Sequence, residues 1–135
     1  MSTRPPSPTR ATPRVQLLSN GRLAVMVDDA GSGFSSWHGI AVTRWREDPV
    51  GDGWGSYLLL RDEESGDVWS AGRQPCTDET DACTATLSDG CVSIARRHGT
   101  LATVLDVALV IDRDVELRRV TLTNHGAYPR DITLT

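Results

Sequence analysis

Glycine dipeptides end almost every apolar run in this chain, and that punctuation excludes most folds before any composition is counted. Asn20-Gly21 separates VQLL from RLAVMV, Ser65-Gly66 separates the run at 57–60 from Val68-Trp69, and Asp89-Gly90 separates ACTATLS from CVSIARR. His98-Gly99 then leads into TLATVLDVALVI, and His125-Gly126 precedes RDITLT. Asn-Gly between apolar runs is a strong short-range hairpin signal, because both residues tolerate the positive φ that a tight turn demands. Leu23, Val25 and Val27 alternate with Arg22, Ala24 and Met26, the two-residue period of a strand with one buried face. From about residue 82 onward, strands follow turns at the ~8–12-residue spacing of sandwiches and barrels. No stretch carries the i, i+3, i+4, i+7 apolar stripe of a helix. The expected fold is all-β and antiparallel, with long Gly-rich loops and little or no helix.

Three segments fit this pattern less simply. In VELRRVTLTN, Val115 and Leu117 sit at odd positions whereas Val120 and Leu122 are even. That parity slip implies either a bulge near Arg118-Arg119 or burial of both strand faces. The chain closes on DITLT, a strand-like run with no polar tail, which leads us to expect the front part of a longer protein with an edge left for pairing. The third is DAGSGFSSWHGIAVTRWRED, residues 29–48, in which neither a helical nor a strand period runs. It reads as a long irregular loop that nonetheless carries Phe34, Trp37, Trp45, Arg44 and Arg46.

Bulk properties narrow the function classes. At 135 residues the chain has the length of one domain. Its net charge of −4 gives no electrostatic case for a nucleic-acid or membrane-surface partner. No run of ~18 apolar residues exists to span a membrane as a helix. The segment MSTRPPSPTRATPR lacks the apolar core of a secretory signal and reads as a disordered Pro/Arg-rich leader over residues 1–14. A cytoplasmic chain, or a cytoplasmic piece of a larger enzyme, is expected.

Cys76, Cys83 and Cys91 are expected as free thiols, since their gaps, with His98 as a fourth ligand, match no zinc-site spacing. No metal and no cofactor is expected. The acid groups Asp28-Asp29, Glu47-Asp48 and 62–64 fall at turns or loop edges and read as solvated turn carboxylates rather than a glycosidase pair. His38, His98 and His125 each precede a glycine, as in turns, and no Ser or Cys nucleophile has a supporting motif. No catalytic residue is assigned.

Taken in order, LLSNGRLAVMV, DAGSGFSSWHGIAVTRWRED, WGSYLLLRDEESGDVWSAGRQP and DVELRRVTLTN resemble the N-terminal β-sandwich of glycoside hydrolase family 94, formerly glycosyltransferase family 36. The likeness is to the cyclic β-1,2-glucan synthase branch in particular, and it covers residues 15–135. Two positions depart from the family pattern: Ser32 stands where a third glycine is usual, and Phe34 where Tyr is common. The resemblance implies an antiparallel, galactose-mutarotase-like sandwich that forms part of a β-supersandwich. It also implies that the chemistry, an inverting and phosphate-dependent transfer, belongs to an (α/α)6 barrel absent from this chain. The expected role is then a non-catalytic domain that supports and shapes such a barrel.

Phe34, Trp37, Arg44, Trp45, Arg46, Trp69 and Gln74 are the candidate carbohydrate or domain-interface residues. Indole rings stack on sugar C–H faces, glycines allow close approach, and Arg forks pair with hydroxyls or carboxylates. Packing in the sandwich or contact with the barrel is the favoured reading of Trp37 and Trp45 over direct sugar contact, and more so of Trp69, which follows a hairpin strand. Two alternatives remain open here: a free-standing module that binds β-glucan or another oligosaccharide, and an oligomerisation domain that covers its exposed strands as a homodimer.

Overall fold

The computed structural model describes residues 13–44, 46, 55–76 and 81–135, and among these every regular element is a strand. They are β1 (Val15–Ser19), β2 (Leu23–Asp28), β3 (Gly33–Trp37), β4 (Ile40–Ala41), β5 (Leu59–Asp62), β6 (Val68–Ser70), β7 (Ala82–Ser88), β8 (Cys91–His98), β9 (Leu101–Leu109), β10 (Glu116–Asn124) and β11 (Ile132–Leu134). Three antiparallel sheets result, in the orders β1-β2-β3-β4, β10-β9-β8-β7 and β11-β5-β6.

The alternation read from the sequence sets the core. Leu23, Val25 and Val27 of β2 pack with Leu18, with Val92 and Ile94 of β8, and with Leu101, Leu105 and Val107 of β9. The small third sheet closes this core with Leu60 and Trp69, joined by Ala71 just after β6. A fully buried Leu, Ile or Val contributes about 2 kcal/mol through removal of its apolar surface from water.

The turns are built as the glycines require. Gly21, Gly66, Gly90 and Gly99 take φ of +87°, +78°, +89° and +57°, a region open to glycine at little cost. Asn20, by contrast, contributes through its side chain rather than a positive φ. Its Oδ1 accepts hydrogen bonds from the Arg22 and Leu23 amides at 3.0 and 2.8 Å. Gly126 also needs no left-handed backbone, because its amide is held by Asn124 Oδ1 at 2.8 Å.

The structure corrects the reading of residues 29–48 as wholly irregular. β3 and β4 lie inside this stretch and pair with each other as Ser36↔Ala41 and Trp37↔Ile40. The two-residue loop between them, His38-Gly39, has φ of +49° and +80°, the pair of left-handed residues that a tight hairpin turn uses. The strand escapes pattern recognition because its inward positions are Gly33 and Ser35, both buried. Gly33 is there for space: a Cβ on it would lie 1.9 Å from the Met26 carbonyl oxygen on β2.

The parity slip in β10 also has a simpler cause than either expectation. The β10–β9 register runs unbroken from Glu116↔Leu109 to Asn124↔Leu101, so no bulge exists. Nor are both faces buried, since Leu117 on the outward face is 53% exposed. The inward row is Glu116, Arg118 and Val120, and two of those three positions are charged. The final segment forms β11 and pairs with β5, from Ile132↔Asp62 to Leu134↔Leu60.

Gly33→Ala is expected to lower stability by about 3 kcal/mol, because the clash is with backbone and cannot relax through a rotamer. Gly90→Ala, where nothing lies within 4 Å of an added Cβ, carries only the left-handed backbone cost of about 1 kcal/mol. Chemical denaturation of the two variants beside the parent chain measures the difference.

Candidate functional site at the Trp37 edge

Trp37 ends β3 at the tip of the β3–β4 hairpin. Its position opposite Leu23 of β2 and Ile40 of β4 leaves the ring 44% exposed. The indole is nevertheless fixed. Nε1 donates a hydrogen bond of 2.8 Å to Asp114 Oδ2, in the turn between β9 and β10. Arg22 Nε donates to the other oxygen of that carboxylate at 2.9 Å, and Asn20 Nδ2 donates to the same oxygen at 3.1 Å. Asn20 also reaches the Arg113 carbonyl at 2.9 Å. One carboxylate thus joins the β1–β2 turn, the β3–β4 hairpin and the β9–β10 turn. The Trp37 N–H above all, followed by Asn20 and Arg22, holds the Asp114 carboxyl below its usual range, against the opposing effect of desolvation.

A second polar link lies beside the first. The buried Ser35 hydroxyl donates to Glu116 Oε2, and Arg118 donates to Glu116 Oε1 at 2.6 Å and to the Ser56 carbonyl at 2.6 Å. Thr43 Oγ1 accepts the Ser35 amide at 2.8 Å, and the Val42 amide donates to the Ser35 carbonyl at 2.9 Å. These bonds fold the chain after β4 back over β3. Ile40 and Val42 are left 65% and 63% exposed beside Trp37, whose ring meets the His38 imidazole edge-on at 4.5 Å. Arg44 and Arg46 are exposed on the segment that follows.

What this edge can do chemically is limited. Asp114 and Glu116 are the acids nearest the ring in the network, and each is already bonded to cations and neutral donors. The edge offers contact: a held aromatic ring, two bare aliphatic side chains and two exposed arginines.

The other sequence candidates are dispersed. Phe34 is half-buried on β3 opposite Met26. Trp69 is 1% exposed, and its ring stacks on His98 with centroids 4.7 Å apart. Gln74 is half-buried, and its amide donates to the Ala30 carbonyl at 3.0 Å. Among the described residues no hydrogen bond or ring contact joins Trp69 or Gln74 to the Trp37 cluster. Trp45, and with it Glu47-Asp48, lies outside the described residues.

Sequence reasoning missed Asn20, Asp114 and Glu116. Asn20 was visible as a turn residue, whereas the role of Asp114 depends on a partner 77 positions away. The expectation of solvated turn carboxylates is corrected at two positions. Asp28 is buried, with Oδ1 accepting the Ala30 and Ser32 amides at 2.9 and 2.8 Å. Asp62 is buried too: Oδ1 accepts the Glu64 and Ser65 amides, while Oδ2 accepts from Arg130 Nε at 2.7 Å. Both acids organise turns from the inside, because a carboxylate that caps backbone amides needs no water.

Because Asp114 titrates below the ordinary carboxylate value in the folded chain, its contribution is present above the unfolded value of ~3.9 and is lost as pH falls through the folded value. The Trp37 indole N–H resonance is expected to hold its position at neutral pH and to move upfield in acid, below about pH 4. In Asp114→Asn this acid step disappears while the Trp69 indole resonance keeps its own behaviour. Proton NMR across an acid titration checks both.

Two comparisons place the chain among known proteins. Residues 2–135 match the glycosyl hydrolase 94 supersandwich domain. Cyclic beta-(1,2)-glucan synthase NdvB of Rhizobium meliloti (strain 1021) is 36% identical over 119 residues, a span that covers 88% of this chain and 4% of that relative. With its three antiparallel sheets and a match over almost its full length, the chain belongs to the glycosyl hydrolase 94 family, as its supersandwich domain.

Proposed function

We propose that the chain is a non-catalytic part of an enzyme of the cyclic β-1,2-glucan synthase or glycoside phosphorylase type, and that its Trp37 edge braces and shapes a separate catalytic (α/α)6 barrel. The observation that carries this reading is the contrast at that edge. Trp37 is locked by Asp114, yet Ile40 and Val42 beside it stay bare. A fixed aromatic ring flanked by exposed aliphatic side chains suits the desolvated centre of a protein interface. A sugar face asks instead for a ring bordered by unengaged hydrogen-bonding groups, and Asn20 and Arg22 are committed to Asp114.

The acids add support. Asp28, Asp62, Asp114 and Glu116 are each held by backbone amides or arginines, which suits a scaffold. In this reading a β-glucan reaches the chain where the barrel meets it, in the assembled enzyme.

The test has two arms. The purified chain, given β-1,2-glucan and phosphate, is expected to release no glucose 1-phosphate, and release would overturn the non-catalytic assignment. Mixed with a separately produced family 94 catalytic barrel, the chain is expected to co-elute with it. Trp37→Ala together with Ile40→Asp is expected to weaken that association at least tenfold, about 1.4 kcal/mol or more. Association that survives the double substitution would place the interface elsewhere.

A further inference from the structure

A separate pocket opens between β7, the chain just before β1, the turn after β2 and the segment after β6. It has a volume of about 200 Å³ and is lined by Arg14, Asp29, Arg73, Cys83, Thr84 and Ala85. At ~30 Å³ per water this is room for about seven waters, the size of one pyranose ring. Its walls are fixed by backbone bonds: the Asp29 amide donates to the Arg14 carbonyl at 2.9 Å, and the Arg73 amide donates to the Ala30 carbonyl at 3.0 Å.

The polar groups in this pocket are brought together without satisfying one another. Asp29 Oδ1 is shielded from solvent and accepts no hydrogen bond among the described residues. The nearest cationic nitrogens lie too far away for hydrogen bonds: Arg73 Nη2 is 3.8 Å from Oδ1, and Arg14 Nε is 3.6 Å from Oδ2. Arg14 uses Nη2 on the Ala85 carbonyl at 3.0 Å, while the Arg73 guanidinium makes no hydrogen bond among the described residues. Both arginines are more than half exposed and keep donors in water, so the shielded Asp29 Oδ1 is the group whose missing partner costs free energy and is left for a ligand to complete.

The charges decide which ligand chemistry completes it. An anion would suit the two guanidiniums but would face the Asp29 carboxylate at close range. A cation would suit Asp29 and be repelled from both sides. A neutral group with adjacent hydroxyls satisfies all three, donating O–H to the carboxylate and accepting N–H from the arginines.

We propose that the pocket formed by Asp29, Arg14 and Arg73 is a binding site for a vicinal diol, the hydroxyl pair of a single saccharide ring. This assignment follows from the pocket's own donors and acceptors and does not depend on how the Trp37 edge is used.

Cys83 lines the pocket and reports its occupancy. Burial pushes its thiol up, so it is protonated at neutral pH and reacts slowly enough to follow. The experiment uses the full chain with Cys76→Ser and Cys91→Ser, leaving Cys83 as the one thiol, and measures its rate of modification by a disulfide reagent. Glucose and a closed cyclic β-1,2-glucan serve as separate probes. Tetrahydropyran, a ring without hydroxyls, and inorganic phosphate serve as controls.

The expected result is protection of Cys83 by a saccharide, with the rate falling about tenfold once the sugar exceeds its Kd tenfold. Protection by glucose alone identifies a free monosaccharide or chain end; protection by the closed glucan as well identifies hydroxyls left free within the polymer. Asp29→Asn and Arg73→Gln are each expected to abolish protection. Arg73 is half exposed, so that variant keeps the fold even if Asp29→Asn disturbs the turn. Trp37→Ala should leave protection intact. The proposal is overturned if the saccharides protect no better than tetrahydropyran, if phosphate protects in their place, or if protection survives both pocket substitutions.

Discussion

The guanidinium of Arg96 joins the β10-β9-β8-β7 sheet to the end of β6 in the β11-β5-β6 sheet. This side chain rises from β8 into the interior and is 2% exposed. Its Nη1 donates to the Ser70 carbonyl at 3.1 Å, the Ser70 hydroxyl at 2.9 Å and the Gly72 carbonyl at 2.8 Å, while Nε and Nη2 hold Asp81 at 2.9 and 2.7 Å. Five bonds leave no donor group of the fork unused, which is what makes a charge tolerable inside a sandwich. Gly72 in turn packs so closely on the β2–β3 turn that a Cβ would lie 2.8 Å from the Ala30 carbonyl oxygen. That same carbonyl accepts the amides of Arg73 and Gln74. Sheet to sheet, the path runs from β8 through Arg96 to the end of β6, and from there to the turn that launches β3. His98 extends it, with its ring stacked on Trp69 and Nδ1 3.0 Å from Asp81.

The candidate edge and the side pocket both connect to this junction. The turn after β2 supplies Asp29 to the side pocket and leads directly into the strand that presents Trp37. If Gly72 and Ala30 were not locked together, neither the pocket wall nor the β3 register would be set. At the far end of the same strand, Asp114 and Glu116 repeat the principle with carboxylates. Each is bonded to cations and to neutral donors from two or more elements, so polar side chains join segments that the apolar core does not reach. Asp28 and Asp62 join turns in the same way from the inside, which is the kind of bonding the proposed supporting role would use.

Much of the fold was legible because glycine turns and two-residue alternation are local signals. The β1–β2, β5–β6, β7–β8 and β8–β9 hairpins all form where a glycine takes a left-handed φ. The strand β3 was hidden because Gly33 and Ser35 fill its inward positions, so tertiary fit replaced hydrophobic pattern. The site was legible in part. Trp37 could be chosen as a costly exposed aromatic, but its bond to Asp114 spans 77 positions and leaves no local trace. Arg96 had a signal that could have been followed: Val92, Ile94 and Arg96 share one parity, which places the arginine on the core face. Trp69 shows the opposite case, since a tryptophan's presence alone does not separate a core plug from a binding surface.

The central claim is that the buried Arg96 junction ties β8 to the end of β6 and, through Gly72, supports the turn that leads into β3. Arg96→Met, which fills the same space without the donors, strips the buried Asp81 carboxylate of its guanidinium and leaves it only His98, and leaves the Gly72 carbonyl only the Ser70 hydroxyl. Equilibrium denaturation of this variant is the direct measurement. The account predicts a loss of about 3–5 kcal/mol, the range for breaking one partner of a buried pair. Unfolding at the same midpoint as the parent chain would contradict it and would leave the apolar core alone to explain the fold.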